Sequence, residues 1–266
     1  MLAGEPAPSS VVSESPFEAA DARIERRILL LAPPITFGFA LLLMQLDTWR
    51  MLARTFLTMW VHELGHTVAA WFSGRFAVPG PWVTRLGEGR SVFVVLALAA
   101  LIAWIGYRGW CANRRWQIGL AVVAMVVQLL CTFGQGGNET DAFITFLGDG
   151  GMLILGAVLM LTFWSPPGSY MHRHWLRWGF LVIGAFAYID ALMTWWQARA
   201  DRMTIAYGEI EGVGHSDPTK LVFDHNWAEP TMIRRYLWLA AICLTVVAAR
   251  YAWSQWRQRH VALLNH

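Results

Sequence analysis

Apolar runs alternate with short polar breaks along most of the chain. They fall at about 28–46, 55–72, 91–107, 117–134, 142–164, 178–197 and 236–254. Each is near the ~20 residues that carry a helix across a hydrocarbon core, with the second and third at the short end. The pattern predicts an all-α fold, a polytopic transmembrane helical bundle of about seven spans. Residues 1–27 are polar and rich in Pro, Ser, Ala and Glu. Such a segment buries too little apolar surface to fold alone, so a disordered tail is expected over 1–27 and a multi-pass membrane domain over 28–266. Acidic residues precede the first apolar run, so the tail is not expected to be a secretory signal.

Two polar stretches interrupt the runs at length. Residues 73–90 contain Pro79, Gly80 and Pro81, which forbid a continuous helix. Residues 198–235 mix charges with aromatics and are expected to form an extramembrane loop, a small cap on one face. Trp49, Trp110, Trp116, Trp164, Trp175, Trp178, Trp195 and Trp196 gather near the run ends, as an interfacial aromatic belt does.

Composition agrees with the patterning. Of 266 residues, 56% are hydrophobic and 15% charged, against about 25% charged in soluble domains. Mean hydropathy is +0.40. Lysines and arginines divide 11 against 10 across seven alternating spans, so they do not set an orientation. Arg23, Arg26 and Arg27 before the first run favour a cytoplasmic N-terminus. The basic residues are scattered, and no nucleic-acid footprint is present. Cys111, Cys131 and Cys243 form no C-x-x-C pattern, so neither a disulfide framework nor a cysteine zinc site is expected.

The second run holds an anomaly, "WVHELGHTVAAWF" at residues 60–72. His62 and His66 are four apart, which on a helix stacks both imidazoles on one face. They can share one metal ion, with Glu63 beside them as general base: the H-E-x-x-H arrangement. Zinc (Zn2+) suits imidazole ligands and lowers the pKa of water toward ~7. Chance yields this pattern roughly once in a hundred such chains. Buried ionisable groups in an apolar span also need a reason to be there.

"HELGHTVAAWFSGR" resembles the first motif of the site-2 protease family of intramembrane zinc metalloproteases, the M50 peptidases and their M50B-like relatives. The match covers about 14 residues and extends weakly into the Pro/Gly loop. The resemblance implies a helical fold, a zinc within the membrane, a transmembrane substrate helix, His62 and His66 as ligands and Glu63 as base. It also implies a third ligand, an aspartate in an N-x-x-P-x-x-x-L-D-G type motif. "NETDAFITFLGDGGMLILG", residues 138–156, is the nearest stretch, with Asp149 in L-G-D-G. Asn138 stands further upstream than the pattern has it, and no proline intervenes.

Asp149 is the first choice for third ligand on physical grounds as well. Asp141, Thr145 and Asp149 fall at i, i+4 and i+8, one polar stripe on a continuous helix. Gly148, Gly150 and Gly151 allow close helix approach or local unwinding. Asp217 in "GVGHSDPTKL" ranks second: Ser216-Asp217 resembles an S-D segment of the M50B-like relatives, and a helix N-cap before Pro218 is the simpler account. Asp190, inside the sixth run, ranks third, as ligand, partner to a histidine or packing group. His215 and His225 read as surface groups, and His172 and His174 as headgroup-level residues.

The functional expectation is a zinc-dependent intramembrane metalloprotease acting on a membrane protein substrate within the lipid bilayer, in the bacterial inner (plasma) membrane. Two alternatives stay open: a non-catalytic metal-binding membrane scaffold or sensor, and a zinc-dependent membrane hydrolase of another substrate class.

Overall fold

The computed structural model describes residues 16–210 and 214–264. Helix α1 runs Pro16–Leu43 and continues through Pro33 and Pro34. Helix α2 (Asp47–Ala53) passes through a π-helical turn, Arg54–Thr58, into α3 (Met59–Phe72). A short hairpin follows, with β1 (Ala77–Val78) antiparallel to β2 (Arg85–Leu86). Helices α4 (Val92–Cys111) and α5 (Arg115–Phe133) form an antiparallel pair. Next come α6 (Gly137–Phe146), α7 (Asp149–Leu161), the short α8 (Tyr170–Arg173) and α9 (Leu176–Ala200). A loop then carries the β3/β4 hairpin (Glu209–Ile210 with Gly214–His215) and a helical turn α10 (Asp217–Thr219). Helix α11, Glu229–Leu264, ends the described chain.

Five helices among the described residues are long and apolar enough to cross a membrane, or six if the bent α6–α7 pair counts as one span. About seven were expected. The second run is helical throughout, but the π-helical turn at Arg54–Thr58 interrupts it, and the regular α-helical stretch beyond, α3, has 14 residues, a rise of about 21 Å. The fifth run is not one straight helix either, since α6 and α7 meet at 54°. Residues 1–15 lie outside the described residues, but the chain is helical from Pro16, and Glu25 forms a two-point ion pair with Arg177 of α9 at 2.6 and 3.0 Å.

Helix α9 is the axis of the bundle, with α1, α7 and α11 packed against it. Its buried positions include Ala185, Ala187, Tyr188, Ile189 and Ala191. Small residues set the α7–α9 approach: a Cβ on Gly156 would lie 2.8 Å from the carbonyl oxygen of Gly184. By contrast α4 and α5 expose Phe93, Leu96, Leu120 and Val123 outward. Such continuous apolar faces are poorly suited to water.

Candidate metal centre

Helix α3 turns His62, Glu63 and His66 inward; all three are buried. The close approach of α3 to α7 depends on glycine: a Cβ on Gly65 would meet the Leu147 carbonyl oxygen and come within 2.8 Å of Gly151 Cα. Backbone meets backbone there, so the imidazoles beside Gly65 sit against the α6–α7 break.

That break supplies hydrogen-bond acceptors. Gly148 N donates to Thr145 at 3.2 Å instead of continuing the α-helical ladder to Ile144. The Ile144 carbonyl accepts from His66 Nδ1 at 2.7 Å. The Phe146 carbonyl accepts from the Tyr236 hydroxyl at 3.1 Å. Both carbonyls lie in the last turn of α6, where the regular ladder runs out, and Ile144 also accepts from Leu147 N at 3.2 Å.

His62 Nδ1 lies 3.1 Å from Asp149 Oδ1, and Trp195 Nε1 donates to Asp149 Oδ2 at 2.9 Å. The Trp195 ring is held by stacking on Tyr236, centroids 4.0 Å apart. Each Nδ1 therefore faces an acceptor and carries the proton, which leaves each Nε2 with its lone pair.

The two lone pairs converge. His62 Nε2 and His66 Nε2 are 3.2 Å apart. Asp217 Oδ2 completes a triangle, 3.1 Å from His62 Nε2 and 2.9 Å from His66 Nε2. It is a buried atom without a hydrogen-bond partner among the described residues. Atoms bound at about 2.0–2.1 Å to a tetrahedral ion stand about 3.3 Å from one another. The three observed separations are close to that, so the donor set fits a zinc-sized cation. Gly148 leaves room for this cluster: a Cβ there would fall 2.6 Å from Asp217 Oδ2 and from His62 Cε1, and 2.7 Å from His66 Cε1.

The geometry reverses the order expected for the third ligand. Asp217 reaches the Nε2 face, while Asp149 stands behind His62 as its Nδ1 partner. The reason is position: α7 starts at Asp149 and approaches the imidazole from the far side, whereas α10 crosses the open side. Ser216 stands at the N-cap of that turn without a side-chain cap hydrogen bond, and Pro218 sits in its first positions. The turn is pinned by Leu221, fully buried in the core.

Asp190 does not join the cluster. It is fully buried, accepts from Thr58 Oγ1 at 2.7 Å and pairs with Arg54 at 3.3 Å. Arg54 also approaches Asp149 at 4.0 Å, which links Asp190 to the centre through a charge pair. The expected Asp141/Thr145/Asp149 stripe is cut by the 54° bend. Asp141 pairs outward with Arg75, while Thr145 and Asp149 line the cavity. Asn138 bonds His225 at 2.7 Å, and His215 sits between Glu209 and Asp224 at 3.4 and 3.3 Å. His172 lies 3.7 Å from Glu25.

Glu63 has a partner that the sequence did not suggest. The Thr84 hydroxyl, from the 73–90 loop, lies 2.7 Å from Glu63 Oε2 and 2.8 Å from its carbonyl oxygen. Glu63, both histidines, Thr84, Asp149 and Asp217 all line one cavity of about 640 Å³. The 73–90 hairpin and the loop after α9 bound it, so the site is reached from polar segments and not through the bundle core.

Compared with protein-family models, curated proteins and solved structures, the chain matches none of them.

Proposed function

We propose that the chain is an integral membrane protein and a zinc-dependent metalloprotease, hydrolysing a peptide bond in or near a transmembrane segment of a membrane protein. The carrying observation is the convergence of His62 Nε2, His66 Nε2 and Asp217 Oδ2 beside Glu63 in one polar cavity. The long apolar helices and the outward apolar faces of α4 and α5 support the bilayer setting.

His62, His66 and Asp217 would hold the ion. Zinc, when bound, lowers the pKa of water and polarises a carbonyl oxygen. Glu63 takes a proton from the attacking water and delivers it to the leaving amine. The Thr84 hydroxyl engages Oε2, which leaves Oε1 to carry that proton. Asp149 and the Ile144 carbonyl fix the imidazole tautomers and ring planes. A substrate helix has to unwind at the cleaved bond, because a helical peptide group is shielded and hydrogen-bonded.

The test pairs metal analysis of the detergent-purified protein with cleavage of transmembrane reporter peptides, in wild type and Glu63→Gln. Both proteins should carry one zinc per chain, and the variant should cleave about 10²–10⁴-fold more slowly. Zinc without cleavage of any peptide would move the assignment to a scaffold or to a hydrolase of another substrate class. Absence of zinc after loading would end the metal reading.

A further inference from the structure

A second cavity lies where α9 ends and α11 begins. It measures about 360 Å³ and is lined by Arg199, Arg202, Arg234, Ile233, Leu237 and Trp238. We propose that this groove binds a phospholipid with an anionic headgroup. The proposal rests on the reading that these helices lie in a bilayer.

The lining has two chemistries in one place. Arg199 and Arg202 come from the end of α9 and the turn that follows; Arg234 stands in the second turn of α11. Ile233 and Leu237 are one helical turn apart on α11 and form an apolar strip, and beside it Arg234 and Trp238, also one turn apart, add one guanidinium and one aromatic ring. A phosphodiester takes guanidinium groups through paired N–H donors. An acyl chain suits Leu237 and the Trp238 ring. Trp238 is 65% exposed, and the groove carries no aromatic box of the kind that holds choline.

Charge is left over in the groove. Arg202 pairs with Glu229 at 3.1 Å, and Glu229 also accepts from the Tyr207 hydroxyl. Arg199 lies over the Trp196 ring at 4.5 Å, which does not neutralise it. No side chain among the described residues pairs with Arg234. Asp201, the other nearby acid, accepts from the Met203 backbone.

The height is that of a headgroup. Two candidate spans terminate here, α9 at Ala200 and α11 at Glu229. Beside them Met203 is 90% exposed and Trp196 56% exposed, an apolar fringe next to arginines, as at a bilayer interface. The Arg202–Thr204 turn divides this groove from the metal cavity, Arg202 lining one and Thr204 the other.

The test is a native mass spectrometry titration of the detergent-purified full chain with phosphatidylglycerol and, separately, phosphatidylcholine. Phosphatidylglycerol should bind more tightly, and Arg199→Gln and Arg234→Gln should each weaken it about fivefold. An Arg115→Gln control, at a different span end, should leave it unchanged. Equal binding of the two lipids, or no loss in the two groove variants, would overturn the proposal. So would inorganic phosphate displacing phosphatidylglycerol at equal concentration, which would make the groove a soluble-anion site. Membrane extraction tests the underlying reading separately: protein released without detergent would remove both.

Discussion

His66 Nε2 and Asp217 Oδ2 stand 2.9 Å apart without a hydrogen bond joining them. His66 spends its proton on the Ile144 carbonyl, so two electron-rich atoms face each other across that gap. With His62 Nε2 as a third, the arrangement calls for a positive charge at its centre. Asp217→Ala should therefore lose zinc as completely as His62→Ala. Asp149→Asn should keep zinc but bind it about 10–100-fold more weakly, the usual effect of losing a histidine's carboxylate partner. Equilibrium dialysis against a competing chelator separates the two outcomes, and the reverse pattern would restore Asp149 as the ligand.

Two neighbouring glycines should fail in different ways. A methyl group at Gly148 meets Asp217 Oδ2 and both imidazoles, which are side-chain atoms able to shift. Gly148→Ala should abolish zinc binding while leaving the thermal unfolding of the metal-free protein near that of wild type. Gly65→Ala drives a methyl group into the backbone at Leu147 and Gly151. It should destabilise the metal-free protein by about 1–3 kcal/mol or more. Metal-free melting curves of the two variants decide this, and equal shifts would mean that the side chains around Gly148 cannot give way.

How much of this was legible in the sequence depends on range. The pairing of His62 with His66 is set by helical spacing, and Glu63 follows from the same turn. The helix positions follow from runs of apolar residues. The break at Leu147 was hinted at by three nearby glycines but not its angle, so a continuous Asp141/Thr145/Asp149 stripe was the natural expectation. Asp217 and Thr84 come from loops whose path depends on contacts no local pattern records, such as the burial of Leu221. Asp149 ranked above Asp217 because it lies in L-G-D-G, on the 141/145/149 stripe and among three glycines; its carboxylate instead meets the other nitrogen of His62.

The Thr84–Glu63 contact gives a prediction that a purely structural loop would not. Thr84→Val removes a donor to a carboxylate, a bond worth about 1.5–3 kcal/mol. Cleavage by this variant should fall about tenfold or more at unchanged zinc content, and Thr84→Ser should recover most of it. A Val variant with the wild-type rate would reduce Thr84 to a packing role.

Acid should release the metal before it unfolds the chain. Zinc binds the unprotonated Nε2 atoms, so protons compete with it for His62 and His66. A ligand that binds only the folded state raises its stability, and that increment vanishes when the ligand leaves. The zinc-dependent rise in melting temperature should be larger at pH 7.5 than at pH 5. The melting temperature of metal-free protein should change much less over the same interval. His66→Ala should show no zinc-dependent rise at any pH. Thermal melts with and without added zinc across that range provide the check, and a zinc effect that persisted undiminished at pH 5 would mean that imidazole nitrogens are not the ligands.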